Sequence, residues 1–292
     1  AYVAQSLSFR VDLNARENFL ETAERRNSIL RLARLIGYNS SRNKPSTGLL
    51  KINSVSTTQT VRDSSGNSLS NVTVIWNDAT NANYREQIVN ILNAANFAGQ
   101  RFGKPKEASN IGGIKTETYT LNTTNTDLPI YKFSKSVGGI NREFEIVPAS
   151  ITNSESIYEQ TPLLGTGLTY LYRTDGSGDS SNNTGFFLLF KQGTLRSTDF
   201  SITQPTTNFV QPLNVSNIND TDVWLYGLND FGQEQVTWKQ VPDIVGNNVI
   251  YNSLTADQRN VYNIITKNND SVDLVFGDGN FSNIPSGAFR AY

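Results

Sequence analysis

The chain has no cysteine, no histidine and no methionine among its 292 residues, and each absence removes a class of chemistry. Without cysteine there is no disulfide staple, no thiolate nucleophile and no Cys-based zinc site. Without histidine there is no Ser-His-Asp triad, no imidazole ligand and no ordinary proton shuttle near neutral pH. Few common enzyme mechanisms survive, and the chain reads as a protein that is not an enzyme and holds no cofactor or metal. An initiating methionine is also missing, so the chain reads as an internal piece, with residues expected at both ends.

Charge is balanced, 25 basic against 26 acidic residues for a net charge of -1, so no basic field argues for nucleic acid or an anionic membrane as partner. No stretch approaches the ~18 apolar residues of a membrane-crossing helix. The apolar run Phe186-Phe187-Leu188-Leu189-Phe190 has the length of a buried strand. Abundant Asn, Ser and Thr with sparse Lys and Glu favour strands and turns, a composition common in extracellular and viral structural proteins.

Periodicity predicts an α+β fold, with long N-terminal helices followed by β-rich domains of mostly antiparallel strands. Three domains are expected: a helical segment over 1–45, a mixed β domain with one inserted helix over 46–160, and a β-rich domain over 161–292. The first 37 residues read as two helical segments broken near Asp12 to Asn14. Asn14 and Glu17 have capping-box spacing for the second segment, and Gly37 can close it. Phe19, Leu20, Ala23, Leu30, Ala33 and Ile36 keep helical spacing, and Arg16, Arg25, Arg26, Arg31 and Arg34 form a basic face. Those arginines read either as a solvated face or as a protein interface, where the guanidinium fork is favoured.

Further along, 48–52 and 72–76 look like paired strands around the turn 63–67, and a helix is expected from Asn83 to Ala98 with Asn81 as its cap. Mainly strands are expected from Lys115 onward, with a short helix over 256–265. Gly277 and Gly279 flank Asp278 where a tight reversal needs positive φ, and Pro285 and Gly287 set up the last strand.

Asp175-Gly176-Ser177-Gly178-Asp179 alternates oxygen ligands like a calcium loop, but Phe186 stands where the twelfth-position acid belongs, so a surface loop is expected. Glu143 and Glu145 would face one side of a strand, as surface carboxylates commonly do. Gly165-Thr166-Gly167 and Gly112-Gly113 lack the third glycine and the Lys-Ser/Thr of nucleotide loops.

The Phe276-Gly277-Asp278-Gly279 then Pro285-Ser286-Gly287 signature resembles that of the baseplate-J-like family. The series from Arg16-Glu17-Asn18-Phe19 through Thr22-Ala23 and Arg26-Asn27-Ser28 to Gly37-Tyr38 is similar to the helical part of the baseplate wedge subunit of T4-like contractile-tailed phages. Trp76-Asn77-Asp78-Ala79 and Asn217-Ile218-Asn219 to Trp224 look like its marine myophage branch. The resemblance implies a virion protein of the tail baseplate, forming an inner ring around the hub and rearranging on sheath contraction. Its implied partners are itself, as dimer or ring, other wedge subunits, and sheath-initiating and hub proteins. Arg16, Phe19, Leu20, Ala23, Arg25, Leu30, Ala33 and Ile36 would then face a helical bundle. A tail-fibre or receptor-binding protein is the alternative, although the repeats or trimeric shaft pattern expected of one are not found.

Overall fold

The N-terminal segment folds as two short helices in the computed structural model, α1 (Tyr2–Arg16) and α2 (Arg26–Leu35). α1 runs straight through Asp12 to Asn14, so the expected break there is corrected to 17–25. The helix ends because the Arg16 carbonyl accepts from the Phe19 N–H and, at 2.6 Å, from the Thr22 hydroxyl. Asn14 therefore lies inside α1 and caps nothing. Glu17, expected in a capping box behind it, instead lies just beyond α1 and accepts from the N–H groups of Glu24 and Arg25, each at 3.2 Å, ahead of α2. A carboxylate at that end offsets the positive pole of α2.

The structure describes residues 2–19, 21–35, 44–58, 60–62, 65–94, 106–111, 114–120, 131–151, 157–163, 168–241, 259–267, 271–280 and 282–292. They divide into two compact units. One comprises Ala1–Lys44, Ile202–Val223 and Trp238–Ser286; the other comprises Pro45–Ser201, Trp224–Thr237 and Gly287–Tyr292.

The larger unit opens with β1 (Thr47–Ile52), β2 (Ser54–Thr57), β3 (Val61–Arg62), β4 (Ser68–Leu69), β5 (Val72–Ile75) and α3 (Tyr84–Ala94). It continues with β6 (Lys106–Ile111), β7 (Ile114–Thr120), β8 (Tyr131–Val137), β9 (Ile140–Ile146), β10 (Ala149–Ile151), β11 (Ile157–Glu159), β12 (Thr169–Thr174) and β13 (Gly185–Gln192). The main sheet runs β6-β7-β12-β13-β9-β8, with β1 also paired to β13. The apolar run expected as a buried strand is β13, whose Phe186, Phe187 and Leu189 are all buried. Such a strand needs partners along both edges, and it takes β1 in the register Leu50↔Leu188. The expected pairing of 48–52 with 72–76 is thus corrected. β5 pairs with β2 instead, Val55 opposite Val74.

α3 starts at Tyr84, one residue later than expected, and its described part ends at Ala94. Asn81 accepts from the Asn83 N–H at 3.0 Å and donates to Gln87 at 2.7 Å, bracing the first turn from outside it. Ile88 and Ile91 bury their side chains in one core with Val61, Val74, Trp76, Tyr170, Tyr172 and Phe186. Each such side chain contributes about 1.5–3 kcal/mol of transfer free energy.

The later strands are β14 (Thr198–Ile202), β15 (Val210–Leu213), β16 (Leu225–Leu228), β17 (Glu234–Gln240), β18 (Val261–Thr266), β19 (Val272–Phe276) and β20 (Gly287–Ala291). Within the larger unit β20 pairs antiparallel with β16, and Phe289 stacks on Phe200. In the smaller unit β19 lies between β15 and β18, with Val272, Leu274 and Phe276 buried, and Lys239 and Gln240 pair in parallel with Val261 and Tyr262. The helix expected over 256–265 is corrected for its described residues, since 261–266 is β18; residues 256–258 lie outside the description. β-branched Ile264, Ile265 and Thr266 pair with β19, and that pairing overrides the weak helical spacing.

Gly279 and Gly287 adopt φ of 88° and 91°, but Gly277 does not adopt positive φ as expected. It is buried, and its carbonyl accepts from the Asn208 N–H. Asn71, Asn77, Asn208 and Asn217 take left-handed corners at φ of 49–60°, one use of the Asn-rich composition.

The fold class is accordingly corrected from α+β with long N-terminal helices to β-rich. Among the described residues the helices have 15, 10 and 11 residues, and twenty strands make up most of the regular structure. Glu17 and Thr22 divide what periodicity reads as one long helix.

Candidate functional site

α1 leaves large apolar side chains in water. Leu7, Phe9 and Val11 are 58%, 66% and 68% exposed, and Phe19 just beyond the helix is 67% exposed. Leu7 and Val11 share one face at i,i+4 spacing, while Phe9 projects from another. Arg16 pairs with Asp12 at 3.3 Å, both side chains more than 60% exposed, a contact contributing under ~1 kcal/mol. Arg25 is exposed, Ala23 half-buried and Ala33 buried. Leu20, Ile36 and the side chain of Leu30 lie outside the described residues.

Glu17 is the residue of this segment whose role sequence reasoning missed. Its buried carboxylate ties the end of α1 to the start of α2. The hydrogen bond with Ser28 and the Glu24 and Arg25 N–H groups hold it below the usual carboxylate range against the opposing effect of burial. An acid nine residues ahead of a helix start is the available signal, but it is not a local one.

The Asp175 loop engages its own ligands. Asp175 accepts from the Ser181 hydroxyl at 2.6 Å, the Ser177 N–H at 2.9 Å and the Thr184 hydroxyl at 3.1 Å. The Ser181 hydroxyl is the largest of the effects that push its carboxyl down to about 2. Asp179, four residues further along the loop, accepts from the Tyr84 hydroxyl, and its carbonyl accepts from Trp76 Nε1 at 3.0 Å. Burial first, then Asp179, pushes the Tyr84 phenol upward. The loop therefore acts as a lid on the Trp76 core. Among the described residues no group of three or more acidic side chains gathers as a metal site.

A pH prediction follows from that carboxylate. Asp175 is depressed in the folded chain, so its contribution is full above its ordinary 3.8 and is lost as pH falls through about 2. Asp175→Asn is expected to lower the melting temperature at neutral pH, with the gap from the parent closing across that acid window. Thermal melts at several pH values check this; a gap that stays constant to the lowest pH would assign the loss to something other than the charge.

The two glutamates weighed as a pair part company in the structure. Glu145 is buried and accepts from the Leu195 N–H at 2.9 Å, with burial pushing its carboxyl up, whereas Glu143 is exposed. Beside Glu145, Glu159 is held by Lys191 at 2.5 Å. Asp278 turns back on its own loop, accepting from the Asn280 N–H at 2.9 Å.

Residues 48–292 match the family model described as Domain of unknown function (DUF8360). The chain belongs to this family. The DUF8360 match begins within β1, so α1 and α2 precede it. No curated protein and no solved structure matches the chain. Within the DUF8360 region the turn between β16 and β17 presents a further apolar group. Phe231 is 87% exposed at a tip fixed by Asn229, whose side-chain oxygen accepts from the N–H groups of Phe231 and Gln233 at 3.0 and 2.9 Å. Sequence reasoning missed it, although an aromatic inside Asn-Asp-Phe-Gly is a visible signal. No described helix is long and apolar enough to cross a membrane.

Proposed function

We propose that this DUF8360 chain is a structural subunit of a phage tail baseplate, of the wedge type, which joins copies of itself and other wedge subunits through its N-terminal helical segment. The observation that carries the reading is the apolar surface of α1, where Leu7, Phe9 and Val11 stand in water on more than one face. A helix of 15 residues gains little stability by itself and draws most of it from packing, so such a surface calls for partners. The resemblance of the Arg16 to Tyr38 and Phe276 to Gly279 stretches to the baseplate-J-like family supports the same reading. The role is one of assembly and not of catalysis, and its place is the virion tail.

Replacing Phe9 and Val11 together with Asp is expected to abolish assembly while leaving the β-sheet circular dichroism and the melting temperature unchanged. Sedimentation velocity on parent and variant, each alone and mixed with the neighbouring wedge subunits, checks this. A variant that assembles as the parent does would remove α1 from the account.

A further inference from the structure

The hairpin of β8 and β9 stands out from the sheet it belongs to. Every residue from Ser134 to Glu143 is exposed, and β9 is paired to β13 only through Phe144, Glu145 and Ile146. Among the described residues β8 is the terminal strand, so its outer row of N–H and C=O groups faces no neighbour in the sheet. A two-stranded ribbon in water is marginal, and this one carries features that make it more so. On one face the cross-strand pairs are Phe133↔Phe144, Lys135↔Arg142 and Val137↔Ile140. The two cations stand directly opposite one another, which destabilises the pair, and none of the ion pairs of the described residues involves either. Val137 and Ile140 at the tip are 55% and 54% exposed.

We propose that β8 receives an extended acidic segment of a different polypeptide as an added strand, with apolar side chains beside Phe133 and Val137 and a carboxylate beside Lys135 and Arg142. The recognised pattern is apolar-x-acidic-x-apolar, because alternate residues of an added strand share the face of the residues beside them. Charge complementarity selects the occupant. A second copy pairing β8 to β8 would bring Lys132 and Lys135 of each chain together, so the same lysines that guard this edge against self-association favour an acidic strand. A nucleic acid or an anionic lipid surface would engage the two cations but lacks the regular row of backbone N–H and C=O groups that matches a strand edge. The inference is independent of the assembly role given to α1.

The test uses the full chain and a fluorescein-labelled peptide as long as β8, alternating threonine with valine, glutamate and valine, beside a version with lysine in place of glutamate. Fluorescence anisotropy is expected to show binding of the acidic peptide alone, and hydrogen exchange read by mass spectrometry is expected to show new protection confined to β8. Lys135→Glu with Arg142→Glu is expected to weaken the acidic peptide at least about tenfold and to admit the lysine peptide. Circular dichroism verifies the fold, and the Lys135→Gln with Arg142→Gln variant replaces the reversal should it fail to fold. Absence of binding, equal binding of both peptides, an unaffected variant, or protection elsewhere overturns the proposal. So does binding of duplex DNA or phosphatidylglycerol vesicles in place of the acidic peptide.

Discussion

Trp76→Ala is expected to lose about 3–5 kcal/mol, the largest single effect in the larger unit. Trp76 is buried between Tyr84 and Phe186, with ring centroids at 5.1 and 5.6 Å in edge-to-face geometry, and Lys51 lies over its face at 5.8 Å. Truncation opens a cavity among residues that come from β3, β5, α3, β12 and β13, elements that cannot all move inward to fill it. It also removes the donor to the Asp179 carbonyl, which anchors the 175–184 loop. Trp76→Phe keeps much of the volume and loses the hydrogen bond, so a smaller loss of about 1–2 kcal/mol is expected. Urea denaturation of the three proteins separates the contributions: Ala and Phe variants of equal stability would show that the loop anchor, and not the packing, dominates. Since a domain's total stability is about 5–15 kcal/mol, the Ala variant is expected to stand near its folding limit.

Arg290→Ala is expected to cost about 3 kcal/mol or more, because it strands a partly buried carboxylate. Arg290 on β20 forms two bonds of 2.7 Å to Asp199 and one of 2.9 Å to Glu234, whose other partner is the Tyr292 hydroxyl at 2.7 Å. The Arg290 and Glu234 side chains are 13% and 9% exposed, whereas Asp199 is 52% exposed and keeps its hydration when the arginine is removed. Burial works against the charged form of Glu234, yet the bonds from Tyr292 and Arg290 outweigh it and hold the carboxyl below its usual range. The contribution is therefore full above the ordinary carboxylate pKa and fades as pH falls through the depressed one. The deficit of Arg290→Ala is expected to be greatest at neutral pH and to shrink in acid, where Glu234 takes up a proton. Adding Glu234→Gln to the variant is expected to restore part of the loss. Chemical denaturation at neutral and acid pH measures both, and a deficit that grows in acid would contradict the assignment.

Local pattern carried much of the β structure. The apolar run at 186–190 and the alternation at 272–276 mark β13 and β19, because burial on both faces or on one leaves a trace in consecutive residues. Pairing leaves no such trace. The choice of β13 over β5 as partner of β1 joins residues far apart in the chain, and β18 reads as helical until β19 lies beside it. The helical segment misled in a similar way. Phe19 to Ile36 keep a 3.6-residue spacing, but the Thr22 hydroxyl and the Glu17 carboxylate act across six to eight residues and end one helix before starting the next. Of the candidate interface residues, Arg16, Phe19 and Arg25 stand exposed, whereas the exposed apolar Leu7, Phe9 and Val11 lie N-terminal to all of them. Their alternating order does not trace a helical stripe, so periodicity passed over them. The exposure of the β8–β9 hairpin was equally invisible, since a ribbon bare on both faces and a half-buried strand share the same alternation.

The central claim, that the chain works by assembling, is tested most directly by its molar mass in solution. Light scattering coupled to size exclusion is expected to return a dimer for the chain alone, or a defined complex on mixing with the wedge subunits proposed as its partners. A monomer that stays a monomer in their presence would contradict it.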